Sequence, residues 1–95
     1  SAGLMERQAR TVNWHIETSG GIQQEINRRT GFEDFVANIV LRHMMKDWGD
    51  VSQEEVEHNN HNPMAALGSY LFRDEIRVYV KAEDGCLRIF LSEER

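Results

Sequence analysis

Apolar positions along the chain change period from two to about three and a half and back, and that succession sets out the elements. Val12, Trp14 and Ile16 alternate with Asn13, His15 and Glu17, which predicts a half-buried strand ending at Thr18-Ser19-Gly20-Gly21. Ser19 suits an N-cap for a short helix over Ile22 to Arg29, with Ile22 and Ile26 one turn apart. Arg28 and Arg29 complement the negative end of that helix, while the glycine pair weakens its first turn. Thr30 and Glu33 then read as a capping box. They open a helix whose Phe32, Phe35, Val36, Ile39, Val40 and His43 form a wide apolar stripe up to about Met45.

Ser52 and Glu55 form a second capping box, with Val51 and Val56 at the staple positions, so a third helix starts at Gln53. Pro63 ends it near His61, because proline lacks the amide proton and disfavours helix in the residue before it. From there the period returns to two. Ser69 to Phe72, Glu75 to Lys81 and Cys86 to Ser92 read as strands joined at Arg73-Asp74 and Asp84-Gly85. Ile76, Val78 and Val80 alternate with Arg77, Tyr79 and Lys81, and Leu87, Ile89 and Leu91 alternate with Arg88 and Phe90. The pattern predicts an α+β fold: an antiparallel sheet of about four strands, the first strand plus a C-terminal three-stranded meander, with two to three helices covering one face. One domain over residues 1–95 accounts for it, with residues 1–10 as a flexible N-terminal segment.

Charge narrows the partners. Residues 1–46 hold six Lys/Arg against five Asp/Glu, and residues 47–95 hold five against eleven, so the net charge of -5 sits in the second half. Binding to nucleic acid through a phosphate-neutralising surface is disfavoured by that balance. A basic protein partner or plain solubility suits it better. Cys86 is the sole cysteine, so no intrachain disulfide forms, which favours a reducing, cytoplasmic compartment. No apolar run approaches the length needed to cross a membrane.

Few residues carry chemistry. Glu55, His58 and His61, with His43, are the conceivable metal ligands, but residues spaced by three walk around a helix, unlike the i, i+4 pair of H-E-x-x-H. An exposed helix end explains them better, and no metal or cofactor is expected. Cys86 follows the acidic Glu83-Asp84 turn, which raises a thiol pKa and suits packing over catalysis. With no nucleophile motif or phosphate loop, the chain is expected not to be an enzyme.

The candidate binding residues are Asp47, Trp48, Asp50, Arg77, Tyr79 and Arg88. Trp48 lies between the second and third helices with carboxylates on both sides. Either it plugs one end of the core, with Gly49 permitting a tight turn, or it is an exposed anchor rimmed by Asp47 and Asp50. A domain this short needs nearly every large apolar side chain for its core, so packing is the expectation. Arg77, Tyr79 and Lys81, with Arg88 and Phe90, form the outward sheet face, which is either an ordinary solvated face or a surface for an acidic partner or single-stranded nucleic acid.

Arg42-His43, Asp47-Trp48-Gly49-Asp50-Val51, Glu54-Glu55, Asn59, Gly68-Ser69-Tyr70, the Ala82-Glu83-Asp84 turn and Leu91-Ser92-Glu93-Glu94 together resemble a family of small uncharacterised proteins from bacterial plasmids and other mobile elements. The D-W-G-D loop is the specific part. Members are labelled plasmid-related proteins or modification subunits of type I restriction systems. The second label does not suit a 95-residue chain, which has no room for a cofactor-binding methyltransferase domain and no N-P-P-[FY] loop. Pro63 departs from the family, whose relatives continue there as helix. The resemblance implies a non-enzymatic, protein-binding accessory module of a bacterial mobile element, acting on a host or defence component. The alternative is a single-stranded nucleic-acid binder using the outward sheet face.

Overall fold

The computed structural model describes residues 14–95. Val12, at the start of the expected first strand, and residues 1–10 lie outside the described residues. The elements run β1 (His15–Thr18), α1 (Gly20–Arg28), α2 (Phe32–Met44), α3 (Gln53–His61), a 3-10 turn (Pro63–Ala65), β2 (Leu67–Phe72), β3 (Ile76–Glu83), β4 (Cys86–Leu91) and a 3-10 turn (Ser92–Glu94). The strands form one sheet in the order β1-β4-β3-β2. Its meander is antiparallel, as the hairpin signals require. Arg73 and Asp74, and then Asp84 and Gly85, all take positive φ, the twist-matched geometry of two-residue hairpin turns.

The sheet as a whole is mixed, which corrects the purely antiparallel expectation: β1 runs parallel to β4, with His15 opposite Cys86 and Thr18 opposite Ile89. Alternation reports which face a strand buries and carries no information on its direction. The helices between β1 and β2 are long enough to enter the sheet either way, so direction is settled by tertiary packing.

The core lies between one sheet face and two helices. Ile22 of α1 and Phe32, Val36 and Ile39 of α2 pack against Phe72, Val78, Val80, Leu87 and Ile89, all buried. Phe32 and Phe72 meet edge to face at 5.0 Å between ring centroids. Phe35 is half-buried at the rim of this layer and Phe32 is its deepest aromatic. Of the two to three helices expected over one face, α1 and α2 cover it. The third helix flanks the β2 edge, where the Asn59 carboxamide donates to the Leu67 carbonyl at 3.0 Å and accepts from the Leu67 amide at 3.3 Å. A carboxamide offers the donor and acceptor of a peptide unit, so Asn59 extends the ladder at that corner.

Both ends of α3 form as the sequence dictates. Ser52 Oγ accepts from the Glu55 amide at 3.1 Å, and the Glu55 carboxylate accepts from the Ser52 amide at 3.1 Å. The first capping box is not made. The N-cap of α2 is Gly31, at φ 86°, with no side-chain cap bond, because the reversal between α1 and α2 needs a left-handed residue there. Glu33 and Asp34 still place negative charge in the first turn. Ser19 does cap α1, accepting from the Ile22 amide at 3.1 Å, so the helix starts two residues before its expected first residue.

The D-W-G-D loop seats on the outer edge of β2. The Ser69 amide donates to the Trp48 carbonyl at 2.9 Å and the Asp50 amide donates to the Ser69 carbonyl at 2.7 Å, a short parallel bridge around Gly49. Gly49 has φ 73°, and a Cβ there would press into the Ser69 carbonyl oxygen and the Tyr70 ring. Gly20, by contrast, has open space around it. We expect Gly49→Ala to cost about 2 kcal/mol or more through backbone strain and loss of the edge bonds. Gly20→Ala should stabilise by up to about 1 kcal/mol. Urea unfolding checks the pair, and equal midpoints for the two variants would contradict this reading of the loop.

Candidate functional site

The six candidate residues divide between the loop cluster and the outward sheet face. Within the cluster, Trp48 is only 3% exposed, so it fills the core end and is not available as a surface anchor. Its indole Nε1 donates to the Asn60 carboxamide at 2.9 Å, which fixes the start of the loop to α3. The ring meets His43 edge to face at 4.9 Å. Asp47 accepts two hydrogen bonds from the Arg42 guanidinium, at 2.7 and 3.2 Å, and one from the Gly49 amide at 3.1 Å. The Arg42 hydrogen bond is the main reason the Asp47 carboxyl titrates below its ordinary value. Asp50 turns toward the sheet and pairs with Arg77 at 2.8 Å, so these two candidates are brought together.

Beneath the loop lies a polar chain that the alternation of residues does not announce. The Tyr70 hydroxyl donates to the Asp47 carbonyl at 2.8 Å and lies 3.1 Å from His43 Nδ1. A phenol has one proton to give, so Nδ1 carries the imidazole proton and donates to the Tyr70 oxygen. Nε2 is then a bare lone pair, and it makes no hydrogen bond in the structure. Gly68 provides the room, since a Cβ there would meet the Tyr70 hydroxyl and His43 Nδ1. Burial pushes the His43 pKa down to about 4, against a smaller upward pull from the Ala66 carbonyl. A neutral imidazole at 4% exposure has no route to a substrate and acts as packing.

The remaining candidates lie on the outward face. Tyr79 and Phe90 are cross-strand neighbours with rings stacked at 5.7 Å between centroids. Lys81 and Arg88 form the adjoining cross-strand pair. Arg88 approaches Glu17 at 3.9 Å, and Arg95 rests its guanidinium 4.9 Å above the Tyr79 ring. The part played by Arg95 has no sequence signature, because it depends on the Ser92–Glu94 turn bringing it back over β3.

A second exposed feature lies on α2. On the side of α2 away from the sheet, Leu41 is 59%, Met44 44% and Met45 79% exposed. Leu41 and Met44 follow Ala37 at i+4 and i+7 on one helix face, and Met45 continues it at the C-cap of α2. The signal was present, a helix apolar on two sides where one suffices for a core.

The conceivable metal ligands are not assembled. His43 is in the core, whereas His58 and His61 lie on the exposed surface of α3. Among the described residues no group of three or more His, Cys, Asp or Glu side chains could hold a metal ion. The Cys86 thiol pKa is raised, first by desolvation and then by Glu17, with a smaller contribution from Glu83. No helix of the described residues is long and apolar enough to cross a membrane. Comparison with protein-family models, with curated proteins and with solved structures gives no match to this chain.

The depressed histidine pKa has a thermodynamic consequence. Between its ordinary value of 6.5 and about 4, the unfolded chain takes up a proton that the folded chain refuses. The stabilisation is complete above that window and is lost as pH falls through it, by about 2 kcal/mol between pH 7 and 5. Asp47, Glu55 and Glu94, whose carboxyl pKa values are lowered, act only at and below the ordinary carboxylate range. We expect denaturant unfolding of the wild type to show this slope and His43→Gln to lack it. A wild-type stability that is flat from pH 7 to 5 would contradict the assignment.

Proposed function

We propose that this chain is a protein-binding module with no catalytic activity of its own, and that it docks through the outer face of α2. The observation that carries the reading is the exposed Leu41, Met44 and Met45 stripe. Apolar surface gathered on one helix face is a mark of interaction sites, and methionine suits surfaces that adapt to a partner. A helix with that stripe fits an apolar groove on another protein. Glu33 and Asp34 at its start and the net charge of -5 favour a partner with basic flanks.

The resemblance carried by Asp47-Trp48-Gly49-Asp50 suggests the setting: an accessory protein of a bacterial mobile element, working in the cytoplasm on a host or defence component. Within this reading the D-W-G-D loop supports the domain and α2 makes the contact. The single cysteine is consistent with a reducing compartment.

The test uses immobilised protein to capture partners from a bacterial lysate, followed by affinity measurement on the captured protein. Leu41→Glu with Met45→Glu should weaken binding at least about tenfold, as expected when an apolar anchor is lost. Stability should stay within about 0.5 kcal/mol, since both side chains are on the surface. Equal affinity for the double variant would overturn the proposal. So would a concentration-dependent homodimer, seen by sedimentation and broken by the same substitutions.

A further inference from the structure

The sheet face turned away from α1 and α2 is a second surface, independent of the α2 stripe, and we propose that it binds a nucleobase joined to a phosphate, with the ring on Tyr79 and Phe90 and the phosphate on Lys81 and Arg88. The two rings stack on one another across β3 and β4, 5.7 Å between centroids and 27° apart in plane, and Phe90 lines the adjoining groove, so a base entering there extends an aromatic stack already begun. A planar group already rests on it: the Arg95 guanidinium lies 4.9 Å from the Tyr79 centroid. A base stacks on the same kind of ring face, and such stacking tolerates any base because every base has a π-face.

The cations stand at the distance a nucleotide requires. Lys81 and Arg88 are opposite one another, two residues along the strands from Tyr79 and Phe90. At the usual rise that is about 6.8 Å, comparable to the separation of a base from its own phosphate. A groove of about 420 Å³ opens here, lined by Lys81, Arg88, Phe90 and Arg95 with Glu17 and Glu94 among its other walls.

Neither carboxylate closes the site to an anion. Glu94 is occupied, accepting from Ser19 Oγ and from the Leu91 and Gly21 amides. Glu17 is 3.9 Å from Arg88, and an exposed pair at that separation is worth little. Lys81 bonds only a neutral acceptor, the Ala65 carbonyl at 2.6 Å. Four of the five basic residues in 47–95, Arg77, Lys81, Arg88 and Arg95, thus gather on one face of an otherwise acidic half. The net charge slows encounter with an anion and leaves the local chemistry intact.

Fluorescence anisotropy at low salt, with a labelled single-stranded oligothymidylate, tests the site. The wild type should bind saturably, and Phe90→Leu, which keeps apolar bulk but removes the ring, should weaken binding by roughly five- to 150-fold. Arg88→Gln, at an exposed position that leaves the fold intact, should reduce the slope of log affinity against log salt by about 0.7. Leu41→Gln, which adds no charge, should leave this affinity unchanged, which separates this surface from α2. Competition by a nucleoside monophosphate would identify a free nucleotide as the ligand, and competition by unlabelled oligothymidylate alone would identify a strand. Both results support the site. Absence of saturable binding would overturn it, as would affinities unchanged in Phe90→Leu and Arg88→Gln together. Displacement by polyglutamate as effective as by oligothymidylate would also overturn it, since charge alone would then explain the binding.

Discussion

The seating of residues 48–50 on the free edge of β2 is the contact on which the arrangement of the domain depends. Two backbone hydrogen bonds, from Ser69 to Trp48 and from Asp50 to Ser69, turn a loop into a short added strand. An open sheet edge invites pairing with other chains, and this one is blunted by the loop and, further along, by Asn59. The same residues fix the elements on either side. Arg42 at the end of α2 grips Asp47, Asp50 reaches Arg77 on β3, and the Trp48 indole holds Asn60 of α3. The third helix makes little apolar contact of its own, since among its residues only Asn59 is buried. Trp48, bonded to Asn60, and the paired hydrogen bonds of Asn59 to Leu67 are what hold it against the sheet.

This division of labour separates structure from recognition. The residues that make the resemblance specific, Asp47 to Asp50, are consumed by internal bonds, and the buried His43–Tyr70 pair beneath them is sealed from solvent. What the domain leaves on its surface are two unlike faces. One is aliphatic and flexible, with leucine and methionine on α2. The other is aromatic and cationic, with Tyr79, Phe90, Lys81 and Arg88 on the sheet. Their chemistries differ enough that a substitution on one should be silent on the other.

In β3 and β4 the inward and outward positions were legible from alternation alone: Val78, Val80, Leu87 and Ile89 are buried, and Arg88 is exposed, as period two requires. In the edge strand β1 the same pattern misled, since Ile16, expected to face inward, is 41% exposed beside exposed His15 and Glu17. The Ser52–Glu55 box, the stop before Pro63 and both hairpin turns were legible too, because each rests on local backbone chemistry. What escaped depends on tertiary context. The direction of β1 has no local code. The cap of α2 shifted from Thr30 to Gly31 because the inter-helix reversal needed positive φ. Of the candidate site, the burial of Trp48 was legible, because so short a chain needs its large apolar side chains for the core, whereas the pairing of Asp50 with Arg77 and the return of Arg95 over Tyr79 required the chain to be folded first.

The central claim is that Trp48 belongs to the interior and fastens the loop, and its own fluorescence reports on that directly. In a Trp14→Phe background, which keeps an aromatic ring at the half-buried position beside the core, Trp48 is the only indole. With 3% of its surface exposed, its emission should be blue-shifted in the folded protein and protected from iodide, and should become quenchable on unfolding in urea. Emission near that of free indole, readily quenched in the folded state, would contradict the account and return the D-W-G-D loop to the surface as a contact site.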